Sequence, residues 1–131
     1  MSRKLVAYKG SEFQIEWYYS PKGESQSFEY YQQLTAVERM KLQNLFRIMG
    51  ESGRIRDESK FRNEGDKIYA FKPQPYRFLS FFVAGKKIIV TNAFRKQQEK
   101  LPKAEKEQAL KCMESYKARV AKGVYYEEEK D

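Results

Sequence analysis

Residues Tyr76 to Val83 read YRFLSFFV. The run is apolar on both parities, with Leu79, Phe81 and Val83 on one side and Tyr76, Phe78 and Phe82 on the other. A strand with one face in water alternates apolar with polar residues, and a strand covered on both faces does not. YRFLSFFV is therefore predicted as a central strand, and the segments that bound it give its neighbours. Pro73-Gln74-Pro75 separates it from KIYAFK, Lys67 to Lys72, and Ala84-Gly85 separates it from KKIIVTNAF, Lys86 to Phe94. Joints this short make antiparallel neighbours through hairpin-like turns.

Toward the C-terminus, Pro102 opens a last helix, since proline suits the first helical turn, and its predicted core stripe is Ala109, Cys112, Met113, Tyr116 and Val120 before Gly123. On the N-terminal side the period is helical. Thr35-x-x-Glu38 reads as a capping box, and Leu42, Leu45, Phe46 and Met49 fall at i, i+3, i+4 and i+7 before Gly50 and Gly53. A shorter helix is predicted over Ser25 to Leu34. Earlier still, EFQIEWY (Glu12 to Tyr18) sets Phe13, Ile15 and Trp17 against Gln14, Glu16 and Tyr18, the period of a half-buried strand ended by Ser20-Pro21-Lys22-Gly23. The chain thus reads as α+β: a helical first half, a β-rich second half and a closing helix.

At 131 residues, with 40% apolar and 15% aromatic content, the chain is expected to form one domain over residues 1–131, with residues 124–131 as an acidic tail. The segment MSRKLVAYKGSEF lacks an apolar signal core, and no window approaches the roughly 20 apolar residues of a membrane span, so a cytoplasmic location is expected. Cys112 is the single cysteine and there is no histidine. That excludes an internal disulfide, papain-like and serine-triad chemistry, and His-ligated metal sites. Cys112 falls on the helical stripe and is expected to be a packed core thiol. No metal site or cofactor is expected, the acidic residues lying mainly on helices and in the tail.

The charge is unevenly placed. From Lys67 to Lys100 there are eight Lys or Arg and one acid, Glu99, a net of +7 against +8 for the whole chain. The helical KAEKEQALK is a mixed-sign, solvated face. Cations on strands between Tyr and Phe make a positive surface with aromatic platforms, suited to phosphate backbones and stacked bases. The plainer alternative is a salt-bridged or solvated strand end.

Four segments together carry a resemblance: Tyr69-Ala70-Phe71-Lys72, then Tyr76-Arg77-Phe78, then Phe94-Arg95-Lys96, then Pro102 with Ala109. Over about residues 36–120 their order and spacing resemble the RelE/ParE toxin superfamily, and more narrowly its HigB-type, phage-associated branch. Lys72 stands where the pattern usually has Arg, and Ala70 where it has an acid. The resemblance implies an N-terminal helical hairpin packed on a small twisted antiparallel sheet, closed by a C-terminal helix. It also implies a toxin that cuts mRNA on the ribosome and is silenced by a cognate antitoxin, with a small helix-turn-helix neighbour favouring that reading; no membrane is involved. The chemistry is attack of a ribose 2′-hydroxyl on the adjacent phosphate, which needs a base, a proton donor and positive charge. Lys72 is the expected base, Arg77 and Arg95 the expected phosphate clamp, and Lys96, Lys67, Tyr76 and Lys100 the expected RNA contacts. Some members use a Tyr near the start of the last helix as acid; Lys106 stands at about that place, leaving Tyr116, Tyr125 or Tyr126 to substitute. The alternative is a protein of the same fold that binds nucleic acid or an acidic partner without cutting, including a gyrase poison.

Overall fold

Within residues 4–126, which the computed structural model describes, the chain begins with two short strands ahead of any helix, β1 (Val6–Lys9) and β2 (Gln14–Trp17). Two helices come next, α1 (Gln26–Gln33) and α2 (Ala36–Ser52), then β3 (Phe61–Asn63), β4 (Tyr69–Phe71), β5 (Tyr76–Val83) and β6 (Lys87–Arg95), and last α3 (Lys103–Ala121). Glu127 to Asp131 of the expected acidic tail lie outside the described residues. The strands form one sheet in the order β1-β2-β6-β5-β4-β3. β2 runs parallel to β6, Gln14 to Trp17 beside Lys87 to Val90, and the other pairings are antiparallel.

The expected architecture is corrected in two respects: the helical pair does not come first, and the sheet is mixed. EFQIEWY is also not half-buried as expected, since Glu16 and Tyr18 are covered as well as Ile15 and Trp17, and periodicity carries no information about the partner strand. YRFLSFFV does become an interior strand, covered on both faces. Trp17, Phe46, Phe71, Phe78 and Val90 belong to the core under α1 and α2, while Leu79, Phe81, Ile89, Ala109, Cys112 and Tyr116 belong to the core under α3.

Local chemistry sets the helix ends. Thr35 accepts a hydrogen bond from the Glu38 N–H at 3.2 Å, and the Glu38 carboxylate accepts from the Thr35 N–H at 2.9 Å, so the predicted capping box is present. Gly53, at φ +76°, caps the other end in the left-handed region. Gly50 has a different task from the helix stop predicted for it. It is buried inside α2, where a Cβ would lie 2.7 Å from the Tyr8 ring, and its carbonyl accepts from the N–H groups of Glu12 and Phe13. In α3 the predicted stripe holds at Ala109, Cys112 and Tyr116, but Arg119 is buried and Val120 is 40% exposed. Arg119 goes inward because its Nη1 donates to the Tyr19 carbonyl at 2.9 Å, with its guanidinium 4.7 Å from the Tyr125 ring.

A β-bulge in β6 fixes where the first turn of α3 docks. Phe78 pairs with Ala93 and Ser80 with Val90, so Leu79 faces two residues, Thr91 and Asn92. The extra residue lets Val90 and Ala93, three apart, both face α1 and α2, while Asn92 reaches the opposite layer and donates to the Glu105 carbonyl and carboxylate at 3.2 and 3.0 Å. On the first face, the Gln26 side-chain amide donates to the Ala93 carbonyl at 2.8 Å and accepts from its N–H at 2.7 Å. The bulged segment is thereby tied to α1 on one side and to the first turn of α3 on the other.

Four carboxyls have pKa values held below the usual range. The chief causes are the Thr35 N–H for Glu38, the Tyr8 hydroxyl for Glu51, the Ser59 hydroxyl for Asp57 and the Lys106 ammonium for Asp66. Depressed folded-state values favour folding above the unfolded carboxylate pKa, and that contribution disappears as pH falls through the folded values. The midpoint of urea unfolding should therefore drop steadily as pH is lowered from neutrality through the carboxylate range; an unchanged midpoint would remove this account of the four groups.

Candidate functional site

The cation-rich segment converges at one corner of the sheet, where β4 and β6 end and β5 begins. Lys72, the residue after β4, has its N–H bonded to the Lys60 carbonyl at 2.8 Å, while its Nζ donates to the Glu58 carbonyl at 2.9 Å. Gln74 is anchored to the same turn, its amide nitrogen donating to the Ser59 carbonyl at 3.0 Å. The Gln74 side-chain oxygen in turn accepts from Arg77 Nη1 at 3.1 Å. Lys96, just past β6, is held by its N–H on the Pro75 carbonyl at 2.8 Å. Three cations are thus placed by backbone bonds and one amide relay.

Between this corner and the start of α3 lies a cavity of about 280 Å³, walled by Arg62, Glu64, Lys72, Arg77, Phe94, Lys96, Gln98, Glu99, Lys100, Leu101, Pro102 and Lys106. Six of these residues are cations and two are acids, so the cavity attracts anions. Arg77 is only 7% exposed, and both of its hydrogen bonds leave through Nη1, to Gln74 Oε1 and to the Tyr76 carbonyl at 2.9 Å. Its Nη2 and Nε have no acceptor among the described residues. Burial lowers the Arg77 pKa, with Glu64 and Glu99 opposing the fall, yet a guanidinium keeps its charge. For Lys72, burial is the main cause of a lowered pKa and Arg77 the next; Arg62 and Lys96 add to it and Glu64 opposes it. A lysine so placed exchanges its proton more readily than one in water.

Of the residues singled out from sequence, Lys72, Arg77, Lys96 and Lys100 meet in this cavity. Arg95 and Tyr76 do not, because they pair across β5 and β6 on the face opposite Arg77 and Phe94. There the Arg95 guanidinium lies 5.7 Å from the Tyr76 ring, and the Tyr76 hydroxyl donates to Glu38 at 2.8 Å. The expected clamp of Arg77 with Arg95 is thus not assembled: directly opposed residues share a face, and the next residue along a strand takes the other. Lys67 is exposed in the β3–β4 turn at φ +70° and does not line the cavity.

The tyrosines expected to replace a general acid are also elsewhere. Tyr116, Tyr125 and Tyr126 cluster toward the other end of α3, where Tyr116 and Tyr126 share a 2.6 Å hydrogen bond and burial raises the pKa of all three. Burial also pushes the Cys112 thiol up to about 11, as suits a packed core thiol. Among the described residues no group of three or more Cys, Asp or Glu comes together to hold a metal, and no helix is long and apolar enough to cross a membrane.

Sequence reasoning missed Arg62 and Glu64 because β3 is a three-residue edge strand, too short to show a period. The usable signal was Asn63-x-Gly65-Asp66, a turn cluster just before the Lys67 to Lys72 strand. Asn63 Oδ1 accepts from the Gly65 N–H at 2.9 Å, and Lys106 pairs with Asp66 at 2.8 Å, so the turn closes against α3 and walls the cavity.

Fold and cavity together define a small basic α+β protein with a cation-lined cavity at one corner of its sheet. The family described as phage derived protein Gp49-like (DUF891) matches the chain over residues 29–114, more than half its length, from α1 through every residue that lines the cavity. The chain belongs to that family, a RelE/ParE-like toxin family of toxin–antitoxin systems. Among curated proteins, none matches the chain.

Each cavity cation neutralised should flatten the salt dependence of binding to a short single-stranded oligonucleotide by about 0.7 in the log–log slope. Lys72→Met and Lys96→Met are therefore expected to show this loss in a fluorescence titration, and Arg95→Ala to leave the slope unchanged; a larger loss for Arg95→Ala would place the anion on the other face.

Proposed function

We propose that the whole chain acts as one toxin domain of the HigB-type branch, cutting mRNA on the ribosome by attack of a ribose 2′-hydroxyl on the adjacent phosphate. The observation that carries this reading is Arg77: a largely buried guanidinium at the cavity wall whose Nη2 and Nε have no acceptor among the described residues. Among the described residues no anion lies within ion-pair distance of this cation. A phosphodiester supplies one, and the two free nitrogens suit two of its oxygens.

In the proposed reaction Arg77 and Lys96 hold the scissile phosphate and neutralise the charge that grows in the transition state. Lys100 carries a neighbouring phosphate, while Lys106 holds the turn at Asp66 against the cavity. Lys72 is the proton-transfer lysine of the site, its ammonium crowded by Arg77. Whether it takes a proton from the 2′-hydroxyl, as expected from sequence, or gives one to the leaving 5′-oxygen depends on what other base the cavity holds. No cofactor enters the scheme. A cognate antitoxin is the expected partner, encoded beside this chain as a small helix-turn-helix protein, and the work requires access to ribosomes in the cytoplasm. The competing reading, a protein of the same fold that binds RNA or an acidic partner without cutting, uses the same cations and differs only in outcome.

Induced expression in a host without the antitoxin should arrest growth. Arg77→Ala should relieve the arrest and lower cleavage by at least about 10²-fold, as for loss of a transition-state donor, while the melting temperature shows the variant folded. Primer extension on translated mRNA should give ends bearing 2′,3′-cyclic phosphate and 5′-hydroxyl, with EDTA acting only through ribosome integrity. Lys72→Met should stop cleavage but retain binding. Wild-type protein that binds RNA and never cuts it would establish the competing reading.

A further inference from the structure

Glu64 is the acid in the cavity that none of the expectations above used. It comes directly after β3, is half-buried, and its N–H donates to the Ile68 carbonyl at 2.8 Å, which fixes the backbone of the turn it opens. It shares the cavity wall with a crowd of cations: Arg62 of β3, Lys72 just after β4, Arg77 of β5 and Lys106 of α3. Lys96, Glu99 and Lys100 complete the wall from the loop after β6. Even so, among the described residues it makes no hydrogen bond and no ion pair. Lys106 is committed to Asp66 at 2.8 Å, and Lys96 to Glu99 at 3.3 Å. The result is a carboxylate close enough to influence both Lys72 and Arg77 yet spaced from them by more than an ion-pair contact.

A carboxylate left without a partner among the described residues can accept a hydrogen bond from a substrate hydroxyl. We infer that Glu64 is the base that takes the proton of the attacking ribose 2′-hydroxyl, which makes Lys72 the donor to the leaving oxygen. The inference rests on the ribonuclease reading. The steps balance without any further reactant: the 2′-oxygen loses its proton to the Glu64 carboxylate and bonds to phosphorus, the bond from phosphorus to the 5′-oxygen breaks, and that oxygen takes a proton from the Lys72 ammonium. The products are a 2′,3′-cyclic phosphate, a 5′-hydroxyl, a protonated Glu64 and a neutral Lys72, which exchange protons with water to restore the site. A carboxylate accepts a proton and an ammonium donates one, so the two groups divide the work between them. Glu99, the other acid of the wall, is 96% exposed and paired with Lys96, which suits it less.

The test combines single-turnover cleavage of translated mRNA with binding of a 2′-deoxy-substituted RNA that cannot react. Glu64→Gln should lower cleavage by about 10²- to 10⁴-fold, the range for a lost general base, and Glu64→Asp should recover part of it. Binding by Glu64→Gln should be as tight as wild type or tighter, because a negative charge has left a cationic site. The wild-type rate should not climb with pH above neutrality and should fall as Lys72, whose pKa is lowered, loses the proton it donates. A wild-type rate that climbs tenfold per pH unit would return the base to Lys72. Cleavage by Glu64→Gln at the wild-type rate, or a parallel loss of binding and cleavage, would also overturn the assignment. A wild type that binds but does not cleave overturns the ribonuclease reading itself, and the assignment with it.

Discussion

The indole of Trp17 is where the fold is tied together. It is 1% exposed, and the rings of Phe28 and Tyr31 from α1, Phe46 from α2 and Phe78 from β5 lie 5.2 to 6.3 Å from its own. A side chain of that size contributes much of its stabilisation only when it is fully covered. Covering it requires β2 to lie within the sheet and both early helices to lie over it. β2 takes the flank of β6 that β5 leaves open, and it runs parallel to that strand. With β6 flanked on both sides, the long strand becomes the axis against which every layer is placed.

The cavity is a consequence of that arrangement at the sheet corner. Backbone bonds between strand ends bring Lys72, Arg77 and Lys96 within reach of one another, and the bulge at Thr91 and Asn92 fastens the start of α3 above them. Like charges gathered this closely oppose folding, and burial makes Arg77 costlier still. The acids that offset the repulsion are distributed unequally. Asp66 and Glu99 are spent on Lys106 and Lys96, while Glu64 stays unbound among the rest. A group in that condition is available to a ligand in a way that a paired one is not.

Much of this was legible in the chain because it rests on local chemistry. The capping box at Thr35 and Glu38, the central strand Tyr76 to Val83 and the buried Cys112 each derive from spacing or from neighbours a few residues away. Tertiary facts were not. Arg95 and Arg77 are both cations near strand ends, and only the register, which sets Arg95 opposite Tyr76 and Arg77 opposite Phe94, shows that they occupy different faces. Arg119 broke an otherwise regular stripe because acceptors from Tyr18, Tyr19 and Ser115, distant or adjacent in sequence, await it inside. Glu64 was hidden by its position after a strand too short to have a period.

Glu16, on the second strand, is 1% exposed; its carboxylate accepts from Gln14 at 2.7 Å and from the Tyr126 hydroxyl at 2.8 Å, with Lys87 at 3.8 Å. Buried ions without partners are costly. During synthesis Gln14 emerges at once, but Lys87 and Tyr126 are made some 70 and 110 residues later, as the sequence separations require. Over that interval water must solvate the charge, so the face of β2 that looks toward α3, opposite the face carrying Trp17, cannot dry. That side of the strand therefore closes late, once Tyr126 has been translated, and by then the α3 wall of the cavity has been made as well.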